Sequence, residues 1–496
     1  MRISTMAGLV VGMSMPLAAQ ATTYVVNDLN DSCGGASTSQ LRGALMAAEA
    51  DPLAPHIVEI DSNFAPSITL DYCPLPHVTR DITVRVVGPS GVTIETRDGG
   101  FFFAQGSFGR PDVVMEGPLT IIGALSTGGP APGLEAQDIR SLSIQDVTFM
   151  EFEGTSVFVS DVDDVDFSDV AFTANEGSAT LLIDQCIDVQ LTDLDLVGTD
   201  NSGFSSGLFG PDQYALRVRA DTVDMTKVRI LDGIELSGAA IEAVGQVDIL
   251  SSEFLRNQGV GLYVESDGMN LVNSRLSQND NTSSSMPVSG AAAGATFQGV
   301  NATVRSSDFT WNQNNDLGGG FMAMAESVQI ENSTFAENLA IGEGAGVVLF
   351  GLTSPATLTH CTFNANQSAG VGATALAGDS AGVSLLANLF QNGAGINCGA
   401  VSGGSFTLTG TDNVTDDGTC VPKIGNRTLS IQGLNPLTVG GHATAGWIGT
   451  AYAPLDVLGP AHGYGANSGV CRLPVDQLGT TRVAGPSSCD AGAHED

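Results

Sequence analysis

Through the middle of the chain, apolar and polar positions alternate over short stretches. Examples are Met269-Asn270-Leu271, Ala302-Thr303-Val304-Arg305, Ser327-Val328-Gln329-Ile330 and Ala356-Thr357-Leu358-Thr359. Period-two alternation rich in β-branched residues predicts half-buried strands. Each stretch runs on to an apolar marker with Asn three positions later. The pairs are Phe172 and Asn175, Phe254 and Asn257, Leu276 and Asn279, Phe309 and Asn312, Phe335 and Asn338, and Phe363 and Asn366. Glycines follow, then a second apolar run such as Phe321-Met322-Ala323-Met324 or Val347-Val348-Leu349-Phe350. The interval between copies, roughly 22 to 33 residues, is that of a repeat protein. Two or three short strands per turn with Gly/Asn corners predict an all-β fold, a right-handed parallel β-helix whose rungs rise by about 4.8 Å. Rungs are expected over 57–425.

The recurring Asn is expected to occupy the left-handed backbone of a tight corner, its amide bonding to the next rung as a ladder. With 62 Gly and 15% charged residues, turns dominate and helices are few. A solenoid accounts for 496 residues with one continuous core.

The ends read differently. Arg2, an apolar stretch from Ile3 to Leu17 and the small-x-small site Ala19-Gln20-Ala21 predict a signal peptide over 1–21, with export to the extracellular space, cell surface or periplasm. No later stretch reaches membrane-spanning length. Eight cysteines suit an oxidising compartment. The expected bridges are Cys33 with Cys73, Cys398 with Cys420 and Cys471 with Cys489; Cys186 and Cys361 are expected as buried thiols.

Charge narrows the partners. A formal net charge of −36 and only two lysines, Lys227 and Lys423, argue against nucleic acid or an anionic membrane. Asp161, Asp163, Asp164, Asp166 and Asp169 are followed about one rung later by Asp184, Asp188, Asp193 and Asp195. Stacked carboxylates leave three readings open: a solvated acidic face, a calcium site centred on Asp161, Asp163, Asp164 and Asp166, or catalytic carboxylates. No catalytic or cofactor-binding residue is assigned. Arg217, Arg219, Arg229, Arg256, Arg275 and Arg305 are read as scattered, solvated positions. The six histidines fall in no ligand or triad spacing.

Two end motifs carry a family resemblance. Cys33-Gly34-Gly35 through Gln40-Leu41-Arg42-Gly43-Ala44-Leu45 resembles the "CSLREA" signature of bacterial secreted β-helix proteins. Read physically, it is an amphipathic helix in a cap over 22–56, with Ser37, Thr38 or Ser39 as N-cap and Leu41, Ala44, Leu45 and Ala48 on one face. Asp476-Gln477-Leu478-Gly479, Arg482 and Cys489-Asp490-Ala491-Gly492-Ala493-His494-Glu495 look like the terminal signature of choice-of-anchor Q β-helix proteins, over a segment 426–496. Leu478 stands where that signature has Arg. The resemblance implies a secreted or periplasmic protein, and no LPxTG-like anchor is visible up to Asp496.

Neither motif supplies a reaction. A non-catalytic, monomeric surface for adhesion, polysaccharide or cell-surface binding, or envelope architecture is expected. The alternative is a polysaccharide lyase or glycoside hydrolase, favoured if Arg and carboxylates of successive rungs converge in a cleft.

Overall fold

The computed structural model describes residues 21–420 apart from 32–36, 53–54, 71–73, 97–99, 107–108, 124–131, 177–178, 201–213, 235–236, 283–289, 370–371, 380–381, 393–394 and 402–405, and also 427–428, 438–442, 447–451 and Gln477. The signal peptide, apart from Ala21, lies outside the described residues, as do Cys33, Cys73, Cys471, Cys489 and all of the C-terminal signature except Gln477.

Each turn of the chain visits three sheets. Sheet A begins as Thr22–Val26 paired with His56–Asp61 and then Ile82–Val87. Sheet B stacks Ser67–Leu70 on Val92–Thr96, and sheet C stacks His77–Val78 on Phe101–Ala104. Later strands bend through the corners: Leu181–Val197 passes through all three sheets, pairing in turn with Val157–Ser160 and both halves of Asp164–Thr173. Every pairing within this stack is parallel, so the fold is the expected parallel β-helix, right-handed as parallel crossovers are. Pairing begins at Thr22, so the stretch read as a cap already contributes the first rung.

Register explains the apolar markers. One inward column of sheet B runs Phe149, Phe172, Leu196, Ile230, Phe254, Leu276, Phe309, Phe335, Phe363 and Phe390. All ten are fully buried. In the last four rungs the rings stack at 4.9, 5.0 and 4.8 Å between centroids. Burial of each ring contributes roughly 1.5–3 kcal/mol, and stacking adds to it.

The asparagines form the expected ladder. Asn257 Nδ2 donates to Asn279 Oδ1 at 3.0 Å, and the pattern continues through Asn312, Asn338, Asn366 and Asn392 at 3.0–3.1 Å. Each amide also donates to the marker carbonyl of the preceding rung, as from Asn338 to Phe309 at 2.9 Å. The backbone reason is corrected, however. The left-handed residue is the one before the Asn: Ala174, Arg256, Gln278, Trp311, Glu337 and Ala365, with φ between 50 and 59°. Their strain, of the order of 1–2 kcal/mol each, is tolerated because the Asn bonds fix the corner. A second column, Ser252, Ser274, Ser307 and Ser333, accepts backbone N–H groups at 3.1–3.3 Å where sheet A turns into sheet B.

The N-terminal helix is α1, Leu41–Ala50. Leu41, Ala44, Leu45 and Ala48 are fully buried against Thr22–Val26, His56–Asp61 and His77–Val78, which covers the mouth of the core as expected. Its N-cap is Gln40, not Ser37, Thr38 or Ser39. Gln40 reaches back to accept the Ser37 N–H, so its side chain is spent outside the helix. At the other end Cys398 and Cys420 form the expected disulfide. Beside it Asp417 accepts bonds from Asn397 N at 2.6 Å and Thr419 Oγ1 at 2.7 Å, and Asn392 donates to Asn397, which terminates the ladder. Cys186 and Cys361 are buried thiols, as expected. No described helix is long and apolar enough to cross a membrane.

Candidate functional site

Sheet B presents its outer face through the residue immediately before each marker. Register stacks Asp195, Arg229, Glu253, Arg275 and Asp308 in one outward column. Alternating charge on neighbouring strands is favourable. Arg229 lies 3.2 Å from Asp195 and 3.3 Å from Glu253. Arg275 Nε lies 3.8 Å from the Asp308 carboxylate.

The same column floors an open groove of about 600 Å³. Its other wall is the bend from sheet A to sheet B, where Asp169, Asp193, Lys227, Ser251 and Asn273 follow one another. These bend residues are themselves left-handed, with φ from 51 to 56°. That backbone turns their side chains outward at the rim. Lys227 Nζ pairs with Asp193 at 3.1 Å. The lining is thus almost wholly ionised groups and hydroxyls, with Val170 and Ala171 the apolar exceptions.

Exposure falls along the column. Side-chain accessibility is 40% at Asp195 and 45% at Arg229, but 14% at Glu253, 17% at Arg275 and zero at Asp308. Beyond Asp308 the column continues through Thr334 and Thr362, both buried. Gln477 lies over that point. Its Nε2 donates to the Ser307 carbonyl at 3.2 Å, and its Oε1 accepts from Thr334 Oγ1 at 2.6 Å.

The arginines are therefore not scattered. Arg229 and Arg275 share the sheet B groove, while Arg217 and Arg219 both pair with Glu242 on sheet C at 3.2 and 2.9 Å. Arg256 and Arg305 do not join these groups; they bond Asp232 at 2.6 Å and Glu331 at 3.1 Å. Sequence reading missed this because each arginine was weighed singly. The signal was available, since Asp195, Arg229, Glu253, Arg275 and Asp308 all directly precede an apolar marker.

The aspartates proposed for calcium are spread out. Asp161 sits on a left-handed bend, Asp163 bonds Arg110 at 2.6 Å, and Asp164 stacks between Ser141 and Asp188. Asp166 stacks between Ser143 and Gln190. Among the described residues no group of three or more His, Cys, Asp or Glu meets in a way that could hold a metal ion. Further along this acidic face, burial raises the Asp224 carboxyl above its usual range, with help from the Asp248 and Asp188 charges. A second groove, of about 550 Å³ on the corner of sheets C and A, holds Cys186, whose thiol burial pushes up to about 11. A thiol held protonated in this way is a poor nucleophile.

The right-handed β-helix region family model matches residues 232–414, which contain the groove's upper half. No curated protein matches the chain. Among solved structures, the A-module of the mannuronan C-5 epimerase AlgE6 of Azotobacter vinelandii is similar at 12% identity and a TM-score of 0.36, over 77% of this chain and 95% of that one. So distant a likeness carries no statement about the site.

Proposed function

We propose that this is an exported β-helix protein that holds an extended, hydroxyl-rich polymer, a polysaccharide, along the sheet B groove without cleaving it. The observation that carries this reading is the groove itself. It is open, spans several rungs, and is lined by Asp169, Asp193, Asp195, Lys227, Arg229, Ser251, Glu253, Asn273 and Arg275. Such a surface offers donors and acceptors in abundance, which suits sugar hydroxyls. Rungs repeat at about 4.8 Å, a length comparable to one pyranose unit, so successive sugars meet successive rungs. The cations are already engaged by carboxylates of neighbouring rungs, which supports holding over proton abstraction.

Processing of the same polymer is the second reading. It is favoured by the convergence of Lys227, Arg229 and Glu253 from neighbouring rungs in one groove.

The test is co-sedimentation of the purified protein with acidic and neutral polysaccharides, with and without Ca²⁺, with reducing ends and unsaturated uronates assayed in parallel. Retention without products, weakened at least tenfold by Lys227→Ala or Arg229→Ala, is expected. Products that vanish in Arg229→Ala would replace the first reading with the second. Retention that appears only with Ca²⁺ would favour a calcium site. N-terminal sequencing of the exported protein, expected to begin at Thr22, tests the secretory part.

A further inference from the structure

We infer that the sheet B groove is blind at one end and therefore receives the terminus of a chain, not its middle. This rests on the proposed polysaccharide reading and adds the class of ligand: chain ends.

Three observations converge on the stop. The first is the gradient of exposure, which falls from 45% at Arg229 to 17% at Arg275 and to zero at Asp308 one rung later. The second is that the next side chain of the same outward column stays covered: Thr334, stacked on Asp308, is fully buried, where Arg229 lower in the column is half-exposed. The third is the covering group. Gln477, itself 4% exposed, bridges the carbonyl of Ser307, which directly precedes Asp308, and the hydroxyl of Thr334, which stacks on Asp308 from the next rung. The backbone of Trp447–Ala451 also runs beside Asp308–Thr310.

Among the described residues no comparable obstruction stands at the opposite end. There the floor is Ala171 and Asp195, the rim is Asp169, and Asp195 retains 40% exposure. A polymer lying along the axis can leave the groove past Ala171 but not past Arg275. Arg275 and Glu253 would then face the terminal sugar, and Arg229, Asp195 and Lys227 the units behind it. Because Gln477 makes both of its bonds through one amide, replacing it by Ala removes two anchors of the wall and exposes Thr334.

The experiment uses oligogalacturonates and cello-oligosaccharides of two to twelve units, each labelled with a bulky fluorophore at the reducing end, unlabelled competitors, and long chains of both polymers. A blind groove predicts that one protein binds per chain whatever its length. Affinity should rise only until the groove is filled. If the reducing end enters, the label lowers affinity at least tenfold; if the other end enters, the label is tolerated and a block there is not. Arg275→Ala should weaken the shortest oligomers most, and Lys227→Ala the longer ones. Protein bound per chain that grows with chain length, in the wild type, would overturn the blind end while leaving polysaccharide binding intact. Binding that tolerates bulky groups at both ends would overturn it as well. Absence of binding to either series and to both long polymers would remove the polysaccharide reading for these sugars, and this inference with it. In Gln477→Ala, retention of one protein per chain on long polymers would assign the stop to Trp447–Ala451, whereas a length-dependent count assigns it to Gln477.

Discussion

The middle rungs and the upper rungs run the same backbone path with opposite chemistry on it. Seven of the 18 cationic residues fall between Arg217 and Arg305, and none between 306 and 422. In the middle, sheet B carries charged side chains on its outside, Asp195 and Arg229 half-exposed and Glu253 and Arg275 more covered. Above, its outside carries buried neutral threonines, and the Phe stack joins the Asn ladder that begins at Asn257. Exposed ion pairs are worth about 0–1 kcal/mol and weaken with salt, whereas buried, satisfied amide networks and rings carry far more. The upper rungs are built to persist. The middle rungs keep just enough charge pairing to leave a usable surface.

Substitutions can break that contrast. Phe335→Ala should cost the most, about 3–5 kcal/mol, because it opens a void between Phe309 and Phe363 in a continuous stack. Denaturant unfolding measures it, and a loss below about 1 kcal/mol would show that the stack is not the source of the upper rungs' strength. Asn338→Ala should follow at about 2–3 kcal/mol. It removes the acceptor for the Asn312 N–H and amide and the donor to the Phe309 carbonyl, all buried. Amide hydrogen exchange should rise first at Asn312 and its neighbours.

Acid should then pick out the top of the ladder. Burial alone would raise the Asp417 carboxyl, but the N–H groups of Thr419 and Asn397 and the hydroxyls of Thr419 and Thr415 outweigh it and hold the group below the ordinary aspartate range. A carboxyl depressed on folding stabilises above its unfolded value, near 3.9, and that stability is lost as pH falls through the folded value. Limited proteolysis with an acid-active protease should therefore show cleavage near residue 417 rising below about pH 4. Equal sensitivity of the middle rungs would contradict the assignment.

Smaller effects sharpen the other side. Arg229→Ala should lower stability by no more than about 1 kcal/mol, an effect that fades in 1 M salt. Asp224→Asn, which relieves repulsion from Asp248 and Asp188, should change stability by about 0.5 kcal/mol or less, in the stabilising direction at pH 7 and with no gain at pH 3. A large loss from either would mean that the charged rungs are scaffolding.

Much of the fold was legible before any coordinates. The apolar markers at Phe309, Phe335 and Phe363, and the Asn three positions on, marked inward column and ladder alike, because a solenoid repeats one local environment on every rung. The N-cap was misplaced because three consecutive hydroxyl residues, Ser37, Thr38 and Ser39, competed for the position and the backbone chose Gln40. The corner conformation was misassigned because Asn is so often the left-handed residue that Ala174 or Trp311 was not suspected. In the site, Arg229 and Arg275 were each visible as arginine, but their sharing of a column with Asp195 and Glu253 depends on register.

That dependence marks the division. The class of fold, the inward face, the ladder and the acidic surface follow from local periodicity and composition. The folded packing alone settled which charges meet. Rung lengths vary, from 22 residues between Asn257 and Asn279 to 33 between Asn279 and Asn312, so stacking cannot be counted along the chain. It also decided where the groove stops. Gln477 reaches Thr334 across 143 positions of sequence, a contact that nothing local foretells.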